Sequence, residues 1–222
     1  MKKKRIKAVI TGILTAAMVI TGILPGLGSF GGVTALADDT SISSPRLVDN
    51  SDGSTTVTWD TVTMGSYVNR YDAYTYPIKW RILDVDDGTG YALVVADRVL
   101  DYKRFSYNFG TFWRDSDIRT WMNGDFLNEI FTSEEQAAIP DTTLTGTYDT
   151  QVIETTDKMF FLSYDDVINS AYGFINDASR ACGSTEYCAG LGSSGGYNWW
   201  LRTSSFDGSS YRNYAVNNGH IR

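Results

Sequence analysis

Thr55, Val57 and Trp59 alternate with Thr56 and Thr58, the period of two expected of a half-buried strand. With residues 46–48 and a turn over 49–53, whose Asp52-Gly53 pair tolerates left-handed backbone, this predicts a hairpin. A further short strand is expected over 61–67. From 78 to 85, Ile78, Trp80 and Ile82 form one face, and Lys79, Arg81 and Leu83 the other. A polar turn over 86–90 leads into the nearly all-apolar run 91–96, which has the character of a central strand. Residues 98–112 lose this periodicity but keep Tyr102, Phe105, Tyr107, Phe109 and Phe112.

The period then changes. Ile118, Trp121 and Met122 fall at i, i+3 and i+4, with Ser116 as a cap and Asp117 in the first turn, which predicts a helix stopped by Asn123-Gly124. Phe126, Leu127, Ile130 and Phe131 begin further helical turns. Thr132 and Glu135 have the spacing of a capping box for a helix ended by Pro140. Residues 141–156, rich in Thr and Asp, read as an exposed excursion, and 158–162 as a buried strand. Ser163 and Asp166 form a second capping box. From 179 to 196 Gly, Ser and Cys predominate, the composition of a loop. Strand-like runs return at 198–202 and 214–216. The expected core includes Trp80, Ile82, Ile118, Trp121, Phe126 and Phe160.

The first 37 residues have another composition. Lys2 to Lys7 are basic, Ala8 to Leu24 carry no charge, Pro25 breaks any helix, and Ala35-Leu36-Ala37 offers small side chains for cleavage before Asp38. This predicts a signal peptide over 1–37, an N-terminal lead-in and hairpin over 38–60, and one domain over 61–222. The competing reading is an uncleaved anchor, for which seventeen residues would span about 26 Å. Without the leader the chain has 14 basic and 26 acidic groups. So acidic a body repels a phosphate backbone, which argues against nucleic acid as a partner. Membrane contact is expected only through an uncleaved leader. A secreted or extracellular-surface location follows from this reading.

Cys182 and Cys188 are the only cysteines, and in an oxidising compartment they are candidates for a local disulfide. His220 is the only histidine, so no metal ligand set is expected. No G-x-S-x-G, G-x-x-x-x-G-K or H-E-x-x-H motif occurs, and no catalytic residue is assigned. Trp199 and Trp200 are adjacent, so in a strand they point to opposite faces. One is expected in the core, while the other covers a second apolar layer or lines a groove. With Tyr197, Asn198 and Arg202 they form the candidate ligand surface, where a flat ring bordered by polar groups can stack on a sugar or a peptide.

Trp80-Arg81-Ile82-Leu83-Asp84, Ile118-Arg119-Thr120-Trp121-Met122-Asn123 and Trp199-Trp200-Leu201-Arg202-Thr203, with residues 156–163, follow a recognisable order. On these segments the chain resembles the bacterial extracellular domain-of-unknown-function family numbered 6273, from about Met64 to Gly219. The resemblance implies an α+β domain distantly similar to the C-type-lectin-like fold of sulfatase-modifying factors. Two or three short helices would pack on small antiparallel sheets beside a long late loop region. Family members usually continue past the point where this chain stops, which implies a C-terminally truncated copy.

The expectation is a secreted or cell-surface, non-catalytic module without a cofactor. It would bind a cell-wall or host glycan, or an extracellular protein, through the aromatic loop surface. Two alternatives stand beside it: a formylglycine-generating-type or related copper-dependent thiol enzyme using Cys182 and Cys188, and a degenerate domain with only a structural role.

Overall fold

A computed structural model describes residues 17–21, 34–36, 42–69, 72–86, 89–148, 151–185, 188, 198–206 and 211–222. The strands in chain order begin with β1 (Ala17–Thr21), β2 (Thr34–Leu36), β3 (Arg46–Asp49), β4 (Thr55–Thr58), β5 (Thr61–Val68), β6 (Thr75–Asp86) and β7 (Tyr91–Ala96). β3 and β4 form the hairpin that the alternation at 55–59 predicts. β5, β6 and β7 are the middle of a five-stranded sheet in the order β1-β7-β6-β5-β2, with every neighbouring pair antiparallel.

β6 is the heart of the sheet. Ile78, Trp80 and Ile82 are buried on one face as their spacing predicts. Leu83, expected on the opposite face with Lys79 and Arg81, is also fully buried, because the register slips between Ile82 and Asp84. A bulge puts two successive residues against one partner and re-aims the side chains that follow. β5 carries a second irregularity between Thr63 and Ser66, where Gly65 adopts φ +71°. A Cβ at Gly65 would lie 2.6 Å from the Phe131 ring and 2.8 Å from the Ile130 carbonyl oxygen. Glycine is therefore required both for the left-handed backbone and for the close approach.

The helical layer runs from α1 (Asp117–Trp121) through a π-helical turn (Met122–Phe126) into α2 (Leu127–Ile130). Ser116 caps α1, its Oγ accepting from the Arg119 amide at 3.3 Å. Asn123-Gly124 does not stop this helix as expected. The chain absorbs the pair in a widened turn, the local geometry that admits one extra residue. α3 (Ser133–Ala137) starts from the complete Thr132–Glu135 capping box, and the Glu135 carboxylate also accepts from the Gly65 amide at 2.7 Å. This contact ties the helical layer to the β5 bulge.

Residues 141–156 are not an exposed excursion. β8 (Arg98–Val99) precedes the helices, and β9 (Thr142–Tyr148) and β10 (Gln151–Asp157) form a regular hairpin after them. Thr142, Leu144 and Tyr148 are buried on alternating positions of β9, and threonine is at home in a half-covered strand. Residues 158–162, expected as a strand, join no extended ladder, yet Met159, Phe160, Phe161 and Leu162 are wholly buried.

α4 (Tyr164–Val167) begins at the complete Ser163–Asp166 capping box. α5 (Asp177–Arg180) and β11 (Gly183–Ser184), which pairs in parallel with β8, give structure to a stretch read as loop. β12 (Asn198–Phe206), β13 (Tyr211–Asn217) and β14 (His220–Ile221) make a three-stranded antiparallel sheet.

One apolar cluster joins all these layers, from Trp80 and Ile82 through Ile118, Phe126 and Phe160 to Trp199, Leu201 and Val216. Trp121 is the exception among the expected core residues. It is only partly buried, its ring tilted against Phe126 with the Lys103 ammonium 4.2 Å from its ring centre. The fold is mixed α+β, built of several small antiparallel sheets and few short helices. No helix among the described residues is long and apolar enough to cross a membrane.

Two pieces of the segment read as a removable leader belong to the central sheet. β1 lies along β7 and β2 along β5, and the Met18 side chain is fully buried in the core. The basic n-region, Pro25 and Ala37 lie outside the described residues.

Candidate functional site

β12 emerges from the core with Trp199 and Trp200 on opposite sides, as strand geometry requires. Trp199 is 2% exposed; its indole N–H donates to the Arg180 carbonyl at 3.1 Å, and its ring packs on Phe174. Trp200 covers a second apolar layer, edge-on to Phe105 at 6.0 Å. Trp199 is thus the core ring of the pair, while Trp200 is only partly buried. Asn198 is exposed at the start of β12, and Tyr197 lies outside the described residues. Among the described candidates, Arg202 lines a cavity.

That cavity, of about 800 Å³, lies between β9, β12, α4 and the turn around Tyr172. Arg202 is 6% exposed. One guanidinium nitrogen faces Asp166 Oδ2 at 3.3 Å, while Nε is buried without any hydrogen-bond partner. Burial lowers the Arg202 pKa, an effect opposed chiefly by Asp166. Asp166 is itself committed to the helix cap, accepting from the Ser163 amide at 2.8 Å and the Ser163 hydroxyl at 2.6 Å. A carboxylate shared in this way leaves the guanidinium fork incompletely matched, and an unmatched buried donor is costly in a folded protein.

Two phenols and a carboxyl also line it. The Tyr148 hydroxyl donates to the Arg202 carbonyl at 3.2 Å, and burial raises its pKa. Burial pushes the Tyr172 phenol up to about 12, with Asp166 and Asp84 adding to the effect. Both tyrosines therefore present hydroxyl groups rather than phenolates at neutral pH. Asp84, at the end of β6, is raised above the usual carboxylate range by burial, while a 3.4 Å hydrogen bond from the Ser44 hydroxyl works in the other direction. The set offers donors, acceptors and aromatic walls to one bound molecule. Tyr148 carried a sequence signal in the alternation along β9 and Asp84 closes the Trp80–Asp84 segment, whereas Tyr172 had none.

Cys182 and Cys188 are both buried thiols, not the expected disulfide. The Cys182 thiol lies 3.4 Å from the Asp97 carbonyl and 3.3 Å from that of Gly183. Burial, followed by Asp101 and Cys182, pushes Cys188 up to about 12. At neutral pH it is held protonated, whereas nucleophilic and metal-binding cysteines act as thiolates. His220 stands at the β13–β14 turn with Nδ1 2.6 Å from Asp177 Oδ2.

Two of the segments on which the sequence resemblance rests, 118–123 and 156–163, meet at a different place, under α1. The Asp157 carboxylate, 2% exposed, accepts from Arg119 Nε at 2.7 Å and Trp113 Nε1 at 3.1 Å. Asn123 Oδ1 accepts from the amides of Lys158 and Met159, and its Nδ2 donates to the Met159 carbonyl. The side chains of Arg119 and Asn123 thereby lock the helix onto the end of β10. The family model of the domain of unknown function DUF6273 matches residues 89–222, a stretch that holds this lock and most of the cavity. The chain belongs to the DUF6273 family. Neither a curated protein nor a solved structure matches it. In this DUF6273 chain the matched stretch starts just before β7, so β5 and β6, which complete the sheet and supply Asp84, precede it.

Proposed function

We propose that this DUF6273 chain is a secreted or cell-surface, non-catalytic binding module of a bacterium, on a C-type-lectin-like scaffold, and that its ligand is a neutral polyhydroxylated molecule of the glycan class. The leader composition supports export, and the short helices on small antiparallel sheets support the scaffold. One observation carries the choice of ligand: Arg202 lines the cavity with its buried Nε unmatched. A ligand hydroxyl accepts from the guanidinium where Arg202 lines the cavity, Asp84 offers an acceptor on the same lining, and Tyr148 and Tyr172 provide hydroxyl partners at the walls. An anionic ligand would gain from Arg202 but would face Asp84, Asp165 and Asp166, which also line the cavity.

Glycan-array and peptidoglycan pull-down measurements on the full chain test the reading, with Tyr172→Phe and Arg202→Gln as paired variants. Losing a hydrogen bond to a charged group is worth about 1.5–3 kcal/mol. Arg202→Gln is therefore expected to weaken binding by roughly 10- to 150-fold, and Tyr172→Phe by less, with the fold retained. No binding to any glycan, or binding indifferent to both substitutions, would overturn the assignment.

A further inference from the structure

β7 stands next to the end of the central sheet but has the composition of an interior strand. Ala92, Leu93 and Val94 are completely buried, and Val95 and Ala96 are at most 4% exposed. Both faces of β7 are thus covered. Proteins blunt an exposed sheet edge with charge, proline or a bulge that turns it away. Between Tyr91 and Ala96 there is no charged residue and no proline. An edge of this kind, left open, offers a row of backbone donors and acceptors flanked by apolar side chains.

In the full chain β1 closes that edge. It pairs antiparallel with β7 in continuous register, Ala17 opposite Val95 through Thr21 opposite Tyr91. Its sequence, Ala-Met-Val-Ile-Thr, has no charge and no proline. Met18, opposite Val94, inserts a long unbranched side chain into the core and is 0% exposed. The opposite edge of the sheet is unlike this one. There β2 covers only three residues of β5, two of them the partly exposed Thr61 and Thr63, positions that water can serve.

We propose that the β7 edge is a strand-acceptor groove. Ala17–Thr21 fills it in cis, and once the leader has left it takes an extended, uncharged, apolar segment of another polypeptide by β-augmentation. Main-chain pairing with β7 supplies the affinity, and one long aliphatic side chain in the Met18 position supplies the selectivity. β1 itself defines the partner: about five residues, antiparallel, free of proline. The departure of the leader rests on the export reading above, whereas the acceptor property does not.

The test uses the full chain with its own strand disabled. Met18→Asp puts a charge where the core is dry, and Val19→Pro blocks the pairing without a charge. Hydrogen exchange of the β7 amides facing β1 is compared with that of the β12–β13 ladder as an internal reference. Each substitution is expected to lower protection on β7 by roughly 100-fold. A synthetic peptide of residues 15–23 added in excess should restore it, and the same peptide carrying Met18→Asp should not. A variant that unfolds as a whole should refold with the wild-type peptide. Unchanged β7 protection in both variants, lost protection that the peptide does not restore, or self-association of the vacated chain without peptide uptake would each overturn the proposal. The N-terminal residue of the chain recovered from its producing cell reads leader removal separately, so a failure there leaves the peptide result standing.

Discussion

Replacing Asp157 by alanine probes the lock between α1 and β10. The carboxylate accepts from Trp113 Nε1, Arg119 Nε and Thr155 Oγ1 at 3.1, 2.7 and 2.8 Å. Trp113 is 3% exposed, so its indole N–H has no route to water when the acceptor goes. An unsatisfied buried donor costs about 1–3 kcal/mol. Arg119 keeps a quarter of its side chain exposed and can turn outward, so its share is smaller. Loss of one partner from a buried charged pair typically costs ~3–5 kcal/mol, and that is the value expected for Asp157→Ala. It is a large fraction of the ~5–15 kcal/mol that holds a domain together. At ~2–4 °C per kcal/mol for a chain of this size, Tm falls by roughly 6–20 °C. Asp157→Asn keeps the shape and an acceptor oxygen, and should lose about half as much. Urea and thermal unfolding of the full chain, followed by tryptophan fluorescence, measure both, and a double-mutant cycle with Arg119→Ala isolates the pair. An alanine variant within about 1 kcal/mol of wild type, or an asparagine variant as damaged as the alanine one, would refute the reasoning.

Two further predictions concern other parts of the chain. Gly65→Ala should destabilise by more than Gly53→Ala, although both glycines have positive φ, because a Cβ at Gly53 meets nothing within 4 Å while one at Gly65 strikes Phe131 and Ile130; the strain common to both is ~1–2 kcal/mol, and equal losses in urea unfolding would contradict the packing explanation. Asp84 has a folded-state pKa raised by burial, so its contribution to stability is fully present below the unfolded value of 3.8 and is lost as pH rises through the folded pKa; Asp84→Asn should therefore raise stability at pH 7 and give no gain near pH 3, and a gain of equal size at both would show that burial of charge is not the cause.

What was legible in the sequence is what has a local cause. The caps at Ser116, Thr132 and Ser163 each depend on residues within one turn, and all three form with the partners their spacing predicts. The run 91–96 is a strand with the expected bounds because six apolar or β-favouring residues sit between turn residues. Asn123 illustrates the opposite case. Its preference for ending helices is overridden by bonds to Lys158 and Met159, some 35 positions away. The polar run 141–156 misled for a related reason, since β9 needs only alternate positions to be covered and threonine serves on either side. The cavity was least legible. Arg202, Tyr148, Tyr172, Asp84 and Asp166 come from five separated segments, and no spacing along the chain announces their meeting. The opposed orientations of Trp199 and Trp200 followed from strand geometry, but what covers each ring was decided by distant residues, Phe174 and Phe105.

The widened turn at Met122–Phe126 sets helical regularity against tertiary fit. Each residue of a regular α-helix advances the azimuth by about 100°, so excising Gly124 would restore uniform winding and swing Arg119 and Asn123 round by that angle relative to Phe126, Leu127 and Ile130. The docked half of the rod and the locked half would then face different directions. Insertions and deletions are therefore poorly tolerated here, in a stretch outside the cavity lining, and a sequence idealised for smooth coiling would yield a straighter rod that no longer closes on β10.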